Sequence, residues 1–292
     1  MNWSRAKTIL IVVFLVVDAF LFYQTYTGKI GNRVVTDKRS IDQIVDYLGK
    51  QDINIKSSIP TKDISSPLLT VKYKYFDKGD ALDIFFDSRD DAVFEKGKDK
   101  YIIRDSNITF QMKNNGESLY TNKNKVLKNG ERLDQNIAEK NIERFLKKLK
   151  IVDSEIFTVK KEVKDDCIKV EYYQGIKNMF IDNTILEIEA TNKGITYMKM
   201  LWFESIIMGK TKKEVIPAIK ALIKLSEVFR DIDNTVIVED ISQGYYFNLD
   251  IENVKEFDIK AIEEGTAIPV WKVKTNMGYI YINAYNGTVE KN

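Results

Sequence analysis

The strongest constraint on this chain is an apolar segment near its start, TILIVVFLVVDAFLFYQTY, at residues 8–26. A helix of about 20 apolar residues matches the roughly 30 Å hydrocarbon core of a bilayer. The segment therefore predicts a transmembrane helix over 8–26, after a short N-terminus at 1–7. We expect the remainder of the 292-residue chain to work beside a membrane.

A cleaved signal peptide is the alternative interpretation of this segment. Such a peptide needs a shorter apolar core and small residues at its cleavage site. The residues at 22–28, FYQTYTG, are mostly bulky, so we expect the helix to be retained. Positive charges flank both ends, and a large following domain is translocated largely regardless of such charges. Charge alone therefore leaves the orientation open.

One carboxylate, Asp18, lies inside the apolar segment. On insertion scales a carboxylate at a helix centre costs about 2.5–3.5 kcal/mol. It is either a tolerated polar residue that snorkels or is protonated, or a polar contact to a transmembrane helix of another chain. The second hypothesis predicts a contact surface made of Asp18 and its helical neighbours Phe14, Leu15, Leu21 and Phe22.

Composition excludes several classes of site. The chain has no histidine, which rules out Ser-His-Asp and Cys-His nucleophiles and His-ligated zinc. Its single cysteine, Cys167, lies in KDDCIKV, where the alternation predicts a thiol buried in a strand, structural rather than reactive because buried apolar thiols are inert. Lys+Arg 45 against Asp+Glu 43 does not predict a nucleic-acid partner.

No motif predicts catalysis, a cofactor or a metal ion. The chain has no phosphate-binding glycine loop and no metal-ligand spacing. The carboxylate clusters at 87–91, 165–166 and 231–233 are typical of solvated turns. The stripe Tyr279, Tyr281 and Tyr285 indicates either one packed sheet face or a partner-binding groove.

The part of the chain after the apolar segment alternates between helical and strand patterns. We predict a helix over 37–52 with Ser40 as its N-cap, strands at 53–60 and 68–76, short strands and turns over 80–105, and a hairpin over 108–122.

From residue 134 a helix followed by strands occurs twice. The first helix is predicted to pack Ile137, Ile142, Phe145 and Leu149 on one face, and the second to begin at Thr211 with Glu214 at capping-box spacing. Both copies place Thr-Asn-x-Gly at a hairpin turn, at 191–194 and 275–278. The pattern predicts an α+β fold with a membrane-proximal region at 27–133 and tandem modules, each a helix on an antiparallel sheet, at 134–206 and 207–292.

The two ends of the chain resemble the YycI (WalI) family. At the N-terminus the resemblance rests on Trp3, Arg5, KTI at 7–9, FL at 14–15, Asp18, FL at 20–21 and Gln24. At the C-terminus it rests on PVWKVKTNMGYIYINAYNGTVE at 269–290. The segments bracket the whole chain, and length and layout fit too.

The resemblance implies a non-enzymatic regulator of the WalK–WalR (YycG–YycF) two-component system of low-GC Gram-positive bacteria. Such a protein has a cytoplasmic N-terminus, one transmembrane helix in contact with lipid, and an extracytoplasmic domain. Its implied partners are a YycH-like membrane protein and the WalK-type sensor histidine kinase, which it contacts partly through transmembrane helices. Asp18 would then be a polar contact in a helix bundle.

Two other functions stay open at this stage. One is a membrane-anchored module that binds a cell-envelope ligand through the aromatic sheet face. The other is an anchored enzyme with carboxylate chemistry, such as a glycosidase, which would need two facing carboxylates about 5–10 Å apart. Neither the sign of the regulation nor a ligand can be inferred from the residues.

Overall fold

A computed structural model of the chain describes residues 14–19, 21, 37–61, 65–88, 92–151, 156–232, 234–247 and 264–290. These residues form a mixed fold in which strands outnumber helices, so the predicted α+β class is confirmed.

The helices are α1 (Lys38–Gly49), α2 (Lys78–Phe85), α3 (Gln135–Lys148), α4 (Ala218–Ile223) and α5 (Leu225–Val228), with a 3₁₀ turn at Lys123–Lys125. The strands are β1 (Ile53–Ile55), β2 (Ser65–Ser66), β3 (Leu69–Tyr73), β4 (Val93–Lys96), β5 (Lys100–Arg104), β6 (Ile108–Lys113), β7 (Ser118–Asn122), β8 (Ile156–Val163), β9 (Ile168–Ile176), β10 (Met179–Ile181), β11 (Ile185–Thr191), β12 (Gly194–Leu201), β13 (Phe203–Met208), β14 (Lys213–Glu214), β15 (Val236–Tyr246), β16 (Gly265–Thr275), β17 (Gly278–Asn283) and β18 (Val289–Glu290).

The chain divides into two compact units, each assembled from separate stretches of sequence. Unit 1 comprises Met1–Ser65, Lys213–Ser242 and Trp271–Lys291, and unit 2 comprises Ser66–Lys212, Gln243–Val270 and Asn292. The predicted division into a membrane-proximal region and two consecutive modules follows the sequence rather than these spatial units, and it stays a prediction.

The main sheet of unit 2 is antiparallel and has the order β4-β5-β6-β7-β12-β11-β9-β8. Helix α3 lies against β9, β11 and β12, and α2 lies against β5 and β6. The carboxylate of Asp134 begins α3, because it accepts a hydrogen bond from the backbone N–H of Ile137 at 3.1 Å, the N-cap role. The side chains that α3 buries are Ala138, Ile142, Phe145 and Leu146.

A second apolar core of unit 2 forms around β3. This strand pairs antiparallel with β13 on one side and with β16 on the other. Strand β10 pairs antiparallel with β9 and parallel with β15. The buried side chains of this core are Leu69, Val71, Tyr73, Ile181, Phe203, Tyr245, Phe247 and Ala267.

Gln174 connects β9 to the start of β13 through its side-chain amide. The residue is 0% exposed. Its Nε2 donates to the carbonyl oxygen of Phe203 at 2.8 Å, and the backbone N–H of Phe203 donates to its Oε1 at 2.9 Å. The amide thus satisfies two backbone groups that would otherwise need strand partners. Trp202 packs in the apolar core of the main sheet, and Phe203 packs in the core around β3. The amide of Gln174 therefore holds the chain where it passes from one core to the other.

Phe180 of β10 lies between two glycines on its neighbouring strands. In the register, Phe180 is opposite Gly175 of β9 and opposite Gly244 of β15. A Cβ atom at Gly244 would overlap the ring of Phe180, and one at Gly175 would overlap the ring of Phe157. Glycine is required at these positions because an aromatic ring closely approaches each backbone.

Unit 1 combines α1, α4 and α5 with a smaller sheet. Strand β1 pairs parallel with β15, where Ile53 lies opposite Val236, and β17 pairs with both β16 and β18. Trp271 is 1% exposed, and its indole Nε1 donates to the carbonyl oxygen of Ile216 at 2.9 Å. The apolar core includes Leu48, Ile53, Ile219, Leu222, Trp271, Val273 and Ile282.

The two predicted Thr-Asn-x-Gly turns are confirmed and use their residues in the same way. Gly194 and Gly278 have φ of 133° and 123°, values that favour glycine. Asn192 accepts from the N–H of Asp134 at 2.6 Å and donates to the carbonyl of Arg132 at 2.7 Å. Asn276 accepts from Ile237 and donates to Thr235, at 2.8 and 3.1 Å. Each asparagine thus ties its hairpin to a segment distant in sequence.

Four local predictions are wrong. Residues 78–85 form helix α2, begun by the carboxylate of Asp77, which accepts from the N–H of Asp80 at 2.7 Å. Helix α1 begins at Lys38, so Ser40 lies inside it. Helix α4 begins after Pro217, whereas Glu214 belongs to β14, so no capping box forms with Thr211. Ile137, on the predicted apolar face of α3, is 43% exposed.

Candidate functional site

The predicted transmembrane contact residues lie on a helical segment as far as they are described. Residues 14–19 and 21 have helical backbone. The side chains of Phe14, Leu15 and Leu21 are 61%, 62% and 52% exposed, and Asp18 is exposed as well. Phe22, the fifth predicted contact residue, lies outside the described residues.

The helical backbone places these side chains on one side of the segment. Phe14 and Leu15 precede Asp18 by four and three positions, and Leu21 follows it by three, which are the spacings of one helical face. Exposed apolar side chains around a carboxylate form a surface that a second helix or lipid could cover. Within the described residues, no helix has both the length and the hydropathy needed to cross a bilayer.

The carboxylate clusters noted in the sequence are described only in part. Asp87 lies 3.9 Å from the ammonium of Lys125, and its side chain is 83% exposed. Asp90, Asp91 and Asp233 lie outside the described residues. Among the residues whose positions are described, no three His, Cys, Asp or Glu side chains gather closely enough to hold a metal ion.

Unit 2 has a shallow pocket of about 280 Å³ that is lined in part by Cys167. We call it the Cys167 pocket. It includes the side chains of Asp166, Glu189 and Tyr197. Several of its hydroxyl groups bind backbone carbonyls: Thr191 Oγ1 donates to Lys125 at 2.6 Å, and Thr196 Oγ1 donates to Glu189 at 3.2 Å. The pocket is lined by Thr121, Asn122, Lys123, Val126, Asp166, Cys167, Glu189, Thr191, Thr196 and Tyr197.

The thiol of Cys167 is a poor nucleophile at neutral pH. Burial, and secondarily the negative charge of Asp166, raise the pKa of the thiol from 9.0 to about 11. The thiolate is the reactive form, so raising the pKa suppresses reactivity. The predicted burial of Cys167 is confirmed, because the residue is 9% exposed. It directly precedes β9, however, whereas the alternation placed it inside a strand.

We therefore expect slow labelling of Cys167 by a disulfide reagent. Near pH 8, a pKa of about 11 instead of 9.0 lowers the thiolate fraction about 100-fold, so the folded chain should react about 100-fold more slowly than the unfolded chain. The rate should rise about tenfold for each pH unit between pH 8 and 10, since these values lie below the raised pKa.

The control carries Cys167→Ala and Ser58→Cys, which moves the thiol to an exposed position. This variant should react at nearly the same rate whether folded or unfolded. Equal rates for Cys167 in the folded and unfolded chain would contradict the assigned environment.

The tyrosine stripe of unit 1 is partly packed. Tyr281 is 4% exposed, whereas Tyr279 is 47% exposed. The ammonium of Lys272 lies 4.4 Å from the ring centroid of Tyr279 and 5.5 Å from that of Tyr281, within cation–π range. Tyr285 packs against the core of unit 1, and this burial raises the pKa of its phenol. A lysine thus lies against the tyrosine face, which is packed at Tyr281 and exposed at Tyr279.

Sequence reasoning missed one surface, the outer edge of β4. Its four residues lie in a segment predicted only as short strands and turns, and the exposed pair Val93 and Phe94 has no alternation that would indicate a buried face. The sequence signal for this surface was a pair of adjacent apolar residues, followed by three lysines at alternate positions in VFEKGKDK.

Comparison with solved structures relates the described fold to other bacterial proteins. The crystal structure of an uncharacterized protein from Eubacterium rectale ATCC 33656 has a TM-score of 0.52 and 13% identity, and the match covers 82% of this chain and 91% of that chain. The C-terminal domain of Bacillus megaterium YpeB gives a TM-score of 0.32 at 12% identity, covering 87% and 96%. At such identities the first likeness concerns the fold alone.

Comparison by sequence gives two further results. No curated protein matches the chain. A family model described as YycI protein matches residues 32–285, which is most of the chain.

Proposed function

The chain belongs to the YycI family, and on this basis we propose that it is a membrane-anchored regulator of a WalK-type sensor histidine kinase. The family match over residues 32–285 carries this proposal, since the family is regulatory and non-catalytic. Family membership therefore indicates a regulator of the WalK system. Its partners, its membrane topology and its mechanism are our proposal.

We place the chain as a single-pass protein of the cell membrane. Residues 1–7 would be cytoplasmic, residues 8–26 would form the transmembrane helix, and the domain from 27 onward would be extracytoplasmic. The apolar sequence of 8–26 and the exposed apolar side chains of the helical residues 14–19 support this placement. In the membrane those side chains would contact lipid or a partner helix.

The proposed partners are the kinase and a YycH-like membrane protein. The extracytoplasmic α+β domain, with its proposed modules at 134–206 and 207–292, would pair with the YycH-like protein. The surface formed by Asp18, Phe14, Leu15, Leu21 and Phe22 would pack against kinase transmembrane helices. A polar contact inside a membrane is worth about 0.6–2 kcal/mol, enough to select one helix arrangement among several.

The proposed mechanism is non-enzymatic. A regulator shifts a kinase between two signalling states only by binding one state more tightly than the other. A contact of about 1.4 kcal/mol that exists in one state alone would change their ratio about tenfold. Asp18 could supply such a contact because its carboxylate needs a polar partner in hydrocarbon, and a rotated kinase helix would remove that partner.

The first test replaces Asp18 by Leu in the full chain. We expect less kinase to co-purify from detergent-solubilised membranes, about 3–10-fold less for the loss of about 0.6–1.4 kcal/mol, together with altered target-gene output. Asp18→Asn keeps a polar side chain and should retain most binding. Val17→Leu leaves the proposed surface intact and should behave like the parent chain.

Membrane fractionation must show equal insertion of all the variants. Unchanged co-purification and unchanged gene output for Asp18→Leu would disprove the contact. A photoreactive residue at position 18 gives an independent test. Capture of the kinase would support the contact, whereas capture of lipid alone would reduce the helix to an anchor.

A further inference from the structure

The outer edge of β4 is an exposed backbone edge in unit 2. Among the described residues, β4 pairs only with β5, and all four of its residues are exposed. Val93 and Phe94 are 55% and 38% exposed. The register with β5 runs from Val93 opposite Arg104 to Lys96 opposite Tyr101 without a shift. Such an edge presents a regular row of backbone donors and acceptors.

The other sheet edges of unit 2 differ from β4. Strand β8 has a register shift between Thr158 and Lys160, and β13 has one between Phe203 and Ser205. A bulge of this kind disrupts the ladder and twists the edge away from a further strand. Strand β4 has no such bulge. Its Lys96 is, however, a charge of the kind that discourages pairing of an edge with a further strand.

The two faces of β4 differ in chemistry. One face carries Val93 and Glu95, and Glu95 forms an ion pair with Arg104 of β5. The other face carries Phe94 and Lys96. The ring of Phe94 lies 5.5 Å from that of Tyr101, and the ammonium of Lys78 lies 5.1 Å from its centroid. Phe94 therefore extends the apolar face of the sheet toward the open edge.

Positive charge accumulates beyond the end of β4. The hairpin that joins β4 to β5 has the sequence KGKDK at 96–100, with three lysines and one aspartate. Lys98 is exposed and Lys100 is half-buried. A strand paired with β4 would therefore lie near the apolar ring of Phe94 and near the ammonium groups of Lys96 and Lys98.

We propose that β4 binds an extended acidic segment of a partner protein as an additional antiparallel strand. Backbone hydrogen bonds would supply the pairing, as in other cases of strand addition. Specificity would come from one face of the incoming strand, with an apolar residue opposite Phe94, a carboxylate opposite Lys96 and a second carboxylate beyond the end of β4, near Lys98 of the turn. This interaction goes beyond the proposed kinase regulation and is independent of it.

The test uses the full chain in detergent and a fluorescent peptide, Glu-Thr-Glu-Thr-Val-Thr-Val. In antiparallel register its second glutamate lies opposite Lys96 and its first valine opposite Phe94, and its first glutamate extends past the end of β4 toward Lys98. We expect saturable binding by fluorescence anisotropy and slower hydrogen exchange of the backbone amides at 93–96. The same peptide with N-methylated backbone amides should not bind, because strand pairing needs those donors.

Charge-reversal variants test the specificity. Lys96→Glu combined with Lys98→Glu should weaken binding about tenfold at low salt. Lys160→Glu combined with Lys161→Glu changes the net charge equally on the opposite edge and should leave the affinity unchanged.

Several results would overturn the proposal. They are absence of saturable binding, binding that persists after N-methylation, and equal loss with both pairs of variants. A dimer of the full chain that Phe94→Lys converts to a monomer would also overturn it, because a second copy would then occupy β4. None of these results depends on whether Asp18 contacts a kinase.

Discussion

Replacing Gln174 by Leu is expected to lower the free energy of unfolding of unit 2 by about 2–4 kcal/mol. Leucine is somewhat larger than glutamine and offers no donor or acceptor. The N–H and the carbonyl of Phe203 would then lose their partners at 2.9 and 2.8 Å. A buried unsatisfied polar group costs about 1–3 kcal/mol, and here two arise together.

Urea unfolding of the full chain, followed by near-ultraviolet circular dichroism, measures this loss. Hydrogen exchange adds a local measurement, since the amide of Phe203 should exchange faster in the variant even in native buffer. The control is Gln111→Ala, which removes a half-buried amide from the opposite face of the same sheet and should change stability by less than about 0.5 kcal/mol. Equal effects of the two substitutions would show that Gln174 contributes only its bulk.

Gly244→Ala is expected to destabilise unit 2 by about 2–3 kcal/mol, a typical cost of overpacking a well-packed core. The backbone of Gly244 is not among the positive-φ positions, so the penalty arises from space alone. The added methyl group would overlap the ring of Phe180, which lies directly opposite in the parallel pair β10–β15. Either the ring or the strand must move.

A double-mutant cycle separates this contact from a general effect of alanine. Phe180→Leu in the Gly244→Ala background should recover part of the loss, because a smaller side chain leaves room for the methyl group. Gly49→Ala is the matched control, since a Cβ there has nothing within 4 Å. That substitution, at the end of α1, should be neutral or stabilising by about 0.5–1 kcal/mol. Additive effects of Gly244→Ala and Phe180→Leu would contradict the assigned clash.

Local chemistry predicted the turns of this fold well. The Thr-Asn-x-Gly hairpins follow from glycine at positive φ and from a threonine hydroxyl that accepts the N–H two residues later, as Thr191 does from Lys193 at 3.0 Å. Helix α2 was missed because KGDALDIF has a weak helical pattern, and its start depends on a single cap by Asp77. The start of α4 was misplaced because Pro217 overrides the pattern before it.

Long-range partners could not be predicted from local patterns. The amide of Gln174 binds a backbone 29 residues away, and in the sequence this glutamine resembles any other polar residue of a strand. Gly175 and Gly244 are each closely approached by an aromatic ring from another strand. A single sequence does not show which ring lies against which glycine. For the candidate site, the sequence predicted a surface around Asp18 on a helix, and the described residues 14–19 and 21 have helical backbone. The contacts of that surface stay a prediction.

The discontinuous units have a consequence for the order in which the chain folds. The core around β3 in unit 2 needs Tyr245, Phe247 and Ala267, and the sheet of unit 1 needs β17 and β18. Neither unit can therefore finish folding while its last strands are still being synthesised. Such distant contacts slow folding because the intervening loops must close first. The core around β3 and the sheet of unit 1 are consequently the last parts of the fold to be completed, whereas the main sheet of unit 2, at 93–201, has all its strands earlier in the chain.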